Sequence, residues 1–300
     1  MFKRILTTIM IALLAVLMVG CGNGAKPKAA AEHKPASGTL EVKVLNVGQG
    51  DAILIRTGKQ TVLVDTSDID ERDNLLRELK KAGVRVIDKL IITHPHADHL
   101  GGAALVFKEF DVREIYDNGL AAKPKFYLDY LKMIKRKNIP YKELRAGDTL
   151  DFGNGVKFDV LSPTADFINH GAKNAKGNID INGSSIVGRL TFGNFAMMLT
   201  GDIEMHGEKE ILKNHSGDLK CQVLKVAHHG SKSSSSEQFL KKVSPKVGII
   251  SCGTGNDYGH PHEKAMMRLN QRKMKLYRTD VNGTITVTTD GTNFDVKGEK

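Results

Sequence analysis

Thr93-His94-Pro95-His96-Ala97-Asp98-His99, with Leu100-Gly101-Gly102 behind it, sets three imidazoles and a carboxylate within six residues. They follow the apolar run Leu90-Ile91-Ile92, which has the character of a buried strand. An H-x-H pair at the mouth of a strand aims two neutral imidazoles at one cation, and the adjoining Asp98 and His99 turn toward a second. Asp98 as the N-cap of a helix beginning near Leu100 is the plain alternative, but a cap has no use for three histidines.

Working outward, the segments of interest are Asn46-Val47-Gly48-Gln49-Gly50-Asp51-Ala52, Leu199-Thr200-Gly201-Asp202-Ile203, Lys225-Val226-Ala227-His228-His229-Gly230-Ser231 and Tyr258-Gly259-His260-Pro261. With the H-x-H-x-D-H motif, and in this order, they resemble the metallo-β-lactamase superfamily. Within it they are similar to the hydrolase domain at the end of the competence protein ComEC, a DNA-uptake channel, over about Thr39 to Val296. The resemblance implies an α/β (α+β) fold, the four-layer αββα sandwich, with a two-metal cleft along one sheet edge. It also implies that the loop of Gln49 and Asp51 borders that cleft and orients water there; a turn in which Asp51 bonds its own backbone is the alternative.

His94 and His96 for one ion, and Asp98 and His99 for the other, leave both sets open. Asp202 ends an apolar strand after Gly201 and fits a carboxylate shared between the ions. Most of the superfamily adds a third histidine to the first ion from the interval before that carboxylate. Here only His170 lies there, in a long polar segment, and Asn182 with Ser185 occupies the corresponding strand as a supporting polar pair. The missing imidazole is therefore expected from His229. His228 points the other way along an extended chain as the acid or phosphate-facing group, with the reverse assignment open. His260 is expected to complete the second ion. The ions are zinc by ligand softness, or manganese as the nuclease resemblance suggests. Ser231 and Lys232, followed by four serines, offer hydroxyls, N–H groups and a cation to an anionic oxygen ahead of a helix from Glu237 to Val243; a flexible serine linker is the alternative.

The chain has 300 residues, is 40% hydrophobic and carries a formal charge of +10. That length suits one large sandwich domain, residues 39–300, behind a leader. The basic balance favours anionic partners, DNA among them, without choosing one. Residues 1–20 read as a bacterial lipoprotein signal: Lys3 and Arg4, an apolar core from Ile9 to Val19 too short to span a bilayer, and small residues before Cys21. Cys21 would then carry lipid and residues 21–38 form a flexible tether, anchoring an exported protein to the outer face of the membrane. An ordinary secretory signal is the alternative. Cys221 and Cys252 fall in apparent strands, without zinc-site spacing and with a disulfide left open.

Elsewhere the pattern predicts an opening meander, a helix over Ile69 to Ala82 capped by Asp65-Thr66-Ser67, and a basic helix from Phe126 to Lys137. It also predicts a loop over Ser162 to Asp180 at the substrate rim, and a hairpin around Gly193-Asn194. His206 and His215 flank an amphipathic helix from Glu204 to Lys213 and read as surface histidines. The function expected is a two-metal hydrolase, with Asp98 and His228 in catalytic roles and Asn182, Ser231 and Lys232 at the substrate. A phosphodiester of DNA or a related polymer is favoured by the charge, by Lys225 and Lys232, and by the ComEC resemblance. A phosphorylcholine-esterase-type activity, a lactone or β-lactam hydrolase, and an inactive lipid-anchored binding protein are the alternatives. The oligomeric state is not legible.

Overall fold

A computed structural model of the chain describes residues 38–300 apart from 174 and 175. The leader, nearly all of the tether and Cys21 lie outside the described residues. Two sheets face each other. The first has eight strands in the order Phe294–Gly298, Ile285–Thr289, Leu40–Val44, Ile53–Arg56, Thr61–Val64, Lys89–Ile91, Ile115–Asp117 and Tyr141–Glu143. The second has seven, in the order Lys275–Arg278, Val247–Ile250, Val223–Lys225, Phe195–Leu199, Val187–Phe192, Lys157–Ser162 and Thr149–Asp151.

Strand periodicity builds the layers. Successive side chains point to opposite faces, so Ile53, Ile55, Val62, Val64 and Ile91 join Met197, Leu199, Val223 and Ile249 in a core between the sheets. The alternate residues Leu54, Leu63, Leu90 and Ile92 turn outward onto the helices Arg72–Lys81, Ala103–Glu109 and Lys125–Lys137. On the far side Ala196, Met198, Leu224 and Ile250 meet Met205–Asn214, Glu237–Val243 and Glu263–Gln271. Three apolar layers thus hold four structural layers, the expected αββα sandwich. Thr61–Val64 runs parallel to Lys89–Ile91, and Phe195–Leu199, Val223–Lys225 and Val247–Ile250 are mutually parallel. The chain that follows these strands carries Asp65, His94, Asp202, His228 and Ser251. No helix among the described residues is long and apolar enough to cross a membrane.

Two local expectations are corrected, and the question left open at the cysteines is answered. The first helix begins at Arg72 with Glu71 at its N-cap and no capping side chain, because Asp65 is engaged with Thr93 and His99 instead. The segment 162–180 is not one open loop. Thr164 caps a short helix, Ala165–Asn169, by accepting from the Phe167 N–H, and Lys173 bridges to Ile179. Cys221 and Cys252 are both buried and free, so no disulfide joins them.

Candidate metal centre

The donors converge on the Asp202 carboxylate. His99 Nε2 lies 3.3 Å from Oδ1, while Nε2 of His229, His228 and His94 lie 3.6, 3.7 and 3.9 Å from Oδ2. Asp98 Oδ2 is 3.3 Å from His229 Nε2 and 3.9 Å from His99 Nε2. Asp98, His99, Asp202 and His229 therefore each bring one ligand atom within 4.8 Å of the others, the donor number of a tetrahedral ion. Beside this set, His94 Nε2 faces His96 Nδ1 at 3.1 Å. Two backbone features allow this closeness. Gly201, at φ +47°, turns the chain so that Asp202 N–H meets Ser185 Oγ at 3.1 Å. A side chain at Gly50 would strike the Asp98 carbonyl at 2.4 Å, and Asp51 N–H donates to that same carbonyl.

Each ring is held from behind. Asp65 accepts from Thr93 N–H at 2.7 Å, Thr93 Oγ at 2.8 Å and His99 Nδ1 at 2.8 Å. His229 Nδ1 donates to the Ser251 carbonyl at 2.9 Å, and His94 Nδ1 sits 3.1 Å from Thr93 Oγ and 3.3 Å from Ser185 Oγ. These contacts leave Nε2 of all three rings pointing inward, which is how a partner behind the ring fixes its tautomer. His99 Nε2, His229 Nε2 and Asp202 Oδ1 are buried with no hydrogen-bond partner. Buried polar atoms without a partner call for an explanation such as an ion, and three of them gathered within one donor cluster fit a cation.

The electrostatics agree with that fit. Burial, then His99, hold His94 well below the usual imidazole range, and burial lowers His96. Burial, then His229 and His228, push His260 down to about 4. These rings keep their lone pairs at neutral pH. Burial opposes charge on His99 and His229 too, but Asp202, Asp65 and Asp98 around the first, and Asp202, Asp51 and Asp98 around the second, raise both. Burial pushes Asp202 up, yet His99 and His229 outweigh it and hold it well below the carboxylate range.

Several expected residues stand elsewhere. His229 groups with Asp98 and His99, not with His94 and His96. His260 lies outside that four-donor set, its N–H held by Asn256 Oδ1 at 2.9 Å. His228 and His229 are not on extended chain. Both adopt left-handed backbone, φ +51° and +53°, which swings the two rings to one side of Asp202. Lys225 reaches no substrate: it points into the core between the sheets, fully buried, with Nζ 2.8 Å from Asp51 Oδ2. Asp51 accordingly turns inward, 3.5 Å from His229 Nδ1, and is not part of the cleft lining. The serine run is already used. Ser236 N–H donates to Glu208 at 2.8 Å, as does Ser235 N–H, Ser234 Oγ donates to the Ile203 carbonyl, and Ser231 is buried against Ser233. No N–H cradle is left there, although Lys232 stays exposed at the edge. His206 is half-exposed and paired with Asp180, while His170 stays exposed beside Asp166.

Gln49, Asp68, His96, Asp98, Asn182, Asp202, His228, His229, Tyr258 and His260, with Ala97, line a cleft of about 390 Å³. Two supporting carboxylates escaped the sequence reading. Asp65 ends an apolar strand as Asp202 does, a signal present in the sequence. Glu204, 3.5 Å from His228 Nδ1 and bonded by Ser233 Oγ, gives no such sign.

A family model described as metallo-beta-lactamase superfamily matches residues 45–254. ComE operon protein 3 of Bacillus subtilis (strain 168) is 33% identical over 264 residues, covering 82% of this chain and 32% of that protein. Competence protein ComA of Neisseria gonorrhoeae is 33% identical over 273 residues, covering 90% of this chain and 35% of its own length. The chain thus spans about a third of the length of these curated relatives. The solved metallo-beta-lactamase fold protein YhfI from Bacillus subtilis superposes with a TM-score of 0.50 at 12% identity, covering 80% of this chain and 96% of that one.

Proposed function

This chain belongs to the metallo-β-lactamase superfamily, and from that premise we propose that it is a two-metal phosphodiesterase acting on DNA or a related phosphate polymer. The observation that carries the reading is the Asp202 carboxylate with four imidazole nitrogens 3.3 to 3.9 Å from it. His94, His96 and Asp202 would hold one ion, and Asp98, His99, Asp202 and His229 the other. A divalent pair so placed supplies Lewis-acid polarisation of phosphoryl oxygens and a water acidified toward neutrality. Asp202 joins the two positions. Asp98, in contact with His229, keeps the second set anionic. His228, oriented from behind by Glu204, faces the cleft and protonates the departing oxygen. Asn182, whose Oδ1 is buried without a partner, and the Lys232 ammonium contact the substrate.

Three facts support a phosphodiester over a lactone or β-lactam. Among the described residues Ala97 is the only aliphatic one lining the cleft, whereas a carbonyl substrate of that kind wants an apolar pocket. The chain carries ten more basic than acidic residues. Two relatives are competence proteins by name or operon. Zinc suits the donor set, with manganese the second choice. Export and lipid attachment at Cys21 belong to the same proposal, and Cys21→Ser should release the protein from the membrane fraction.

The test is to load the protein with Zn²⁺ or Mn²⁺ and offer single- and double-stranded DNA, a chromogenic phosphodiester, a phosphorylcholine ester, a lactone and a β-lactam. The DNA substrates and the phosphodiester should be cleaved, and Asp202→Ala should abolish this along with bound metal. Turnover of only the lactone or β-lactam overturns the reading. Turnover of the small phosphodiester without DNA keeps the chemistry and removes the nuclease.

A further inference from the structure

Tyr258 is the unusual residue of the cleft. It is 62% exposed, one of the most solvent-accessible large hydrophobic residues, yet it lines the same cleft as the metal donors. Its ring lies nearly parallel to His260, centroids 5.6 Å apart at 18°, and His260 in turn lies 6.0 Å from His229 at 30°. Three roughly parallel rings therefore step from solvent to the proposed ion position. The loop that presents Tyr258 is fixed: Asn256 donates to the carbonyls of Gly253 and His260 at 2.9 and 2.7 Å and accepts from His260 N–H. His260 lies offset beside the Tyr258 ring, and with 62% of the residue exposed the ring keeps most of its surface in solvent.

We infer that Tyr258 is a stacking platform for an unpaired nucleobase beside the scissile phosphate, making this a site for single-stranded DNA. The inference rests on the phosphodiesterase reading above. A rigid aromatic face at the rim of a phosphate-cleaving centre fits a flat π-system attached to that phosphate, and stacking on such a face tolerates any base. In a duplex both faces of each base are already stacked and its edge is paired, so a paired base cannot lie on the ring. A choline head group is the other ligand that seeks aromatic faces, but it is bound by a cage of several rings. Among the described residues Tyr258 is the only phenylalanine or tyrosine lining this cleft, and the chain has no tryptophan. A single exposed ring suits a base.

The experiment compares wild type, Tyr258→Leu and Tyr258→Phe, all metal-loaded, on a short single strand and on the same strand with abasic sites. Tyr258→Leu should raise KM for the ordinary strand about tenfold or more, with kcat little changed, and Tyr258→Phe should restore it. On the abasic strand wild type and Tyr258→Leu should coincide. A strand containing 2-aminopurine gives a readout independent of turnover: its fluorescence should be quenched on binding wild type and Tyr258→Phe, and not Tyr258→Leu. An RNA strand of the same sequence should behave as the DNA does at this residue. An unchanged KM in Tyr258→Leu, or an equal rise on the abasic strand, overturns the platform while wild-type cleavage keeps the phosphodiesterase. Tyr258-dependent turnover of a phosphorylcholine ester alone gives the ring a cation to face and also overturns it. If wild type neither binds nor cleaves any strand, the phosphodiesterase reading fails first and the platform with it.

Discussion

Asp65 touches no proposed ion position, yet it determines where one imidazole points. Its carboxylate binds the backbone and hydroxyl of Thr93 and, at 2.8 Å, Nδ1 of His99, so that the ring's Nε2 faces Asp202. Removing such a partner typically weakens metal affinity 10- to 100-fold. Asp65→Ala should do so in a chelator-competition titration while leaving the far-UV spectrum intact; wild-type affinity in that variant would mean that His99 needs no orienting partner. At this scale the sequence is legible where donors are neighbours. His94, His96, Asp98 and His99 announce themselves because one strand end and one short turn carry all four. Asp65, Glu204 and the buried Lys225–Asp51 pair do not, because each takes its meaning from a partner 24 or more residues away. Charge alone marked Lys225 as a surface cation. Its position on Val223–Lys225, in phase with Val223, turns it into the core between the sheets.

One element is tied to the cleft by a pair that responds to pH. The helix Met205–Asn214 projects His206 onto Asp180, whose other carboxylate oxygen accepts from Gly183 N–H at 2.8 Å, beside the cleft residue Asn182. The hydrogen bond that His206 donates to Asp180 raises His206 above the ordinary imidazole range. Burial pushes Asp180 up, but His206 and the Gly183 N–H outweigh it and lower it. A raised histidine contributes stability that is complete below its unfolded value, about 6.5, and is lost as pH rises through its folded value. The depressed aspartate contributes above about 3.9 and is lost on acidification through its folded value. The pair is therefore at full strength between roughly pH 4 and 6.5, and it fades in alkali. Because His206 is half-exposed, screening limits it to at most about 1 kcal/mol. In urea titrations His206→Ala should be less stable than wild type near pH 6, with the gap closing by about pH 9. A gap that stays constant with pH would assign the loss to packing instead. This tie was invisible in the pattern of residues 162–180, where polar composition reads as loop and the link to the helix depends on tertiary approach.

Across the whole molecule, the apolar layers are built from other residues than the proposed ligands, and the ionic centre meets the core between the sheets at the Lys225–Asp51 pair. The three clusters that join the four layers are built from aliphatic and aromatic side chains on alternating strand positions and helix faces, and none includes a proposed ligand. This level was the most legible, since period-two and helical patterns write it residue by residue. What the patterns could not supply was strand order, such as the parallel pairing of Phe195–Leu199 with Val223–Lys225 that sets Asp202 beside His228. The separation predicts what chelation does. In domains whose fold depends on a metal, stripping the ion unfolds the chain; here the sandwich should persist. The cost would be confined to the rim, where Asp98 and Asp202 would lose a divalent partner and keep the imidazoles of His99 and His229 beside them. Each ion contributes about 3 kcal/mol when free metal is a hundredfold above Kd. In a domain of this size the two together correspond to a drop of roughly 12 to 24 °C in Tm. Dialysis against a strong chelator should lower Tm by about that much, reversibly on adding Zn²⁺ or Mn²⁺, with near-UV and far-UV circular dichroism unchanged at 25 °C. Loss of the near-UV signal on chelation would show that the ions hold the layers together, and that the cores cannot close without them.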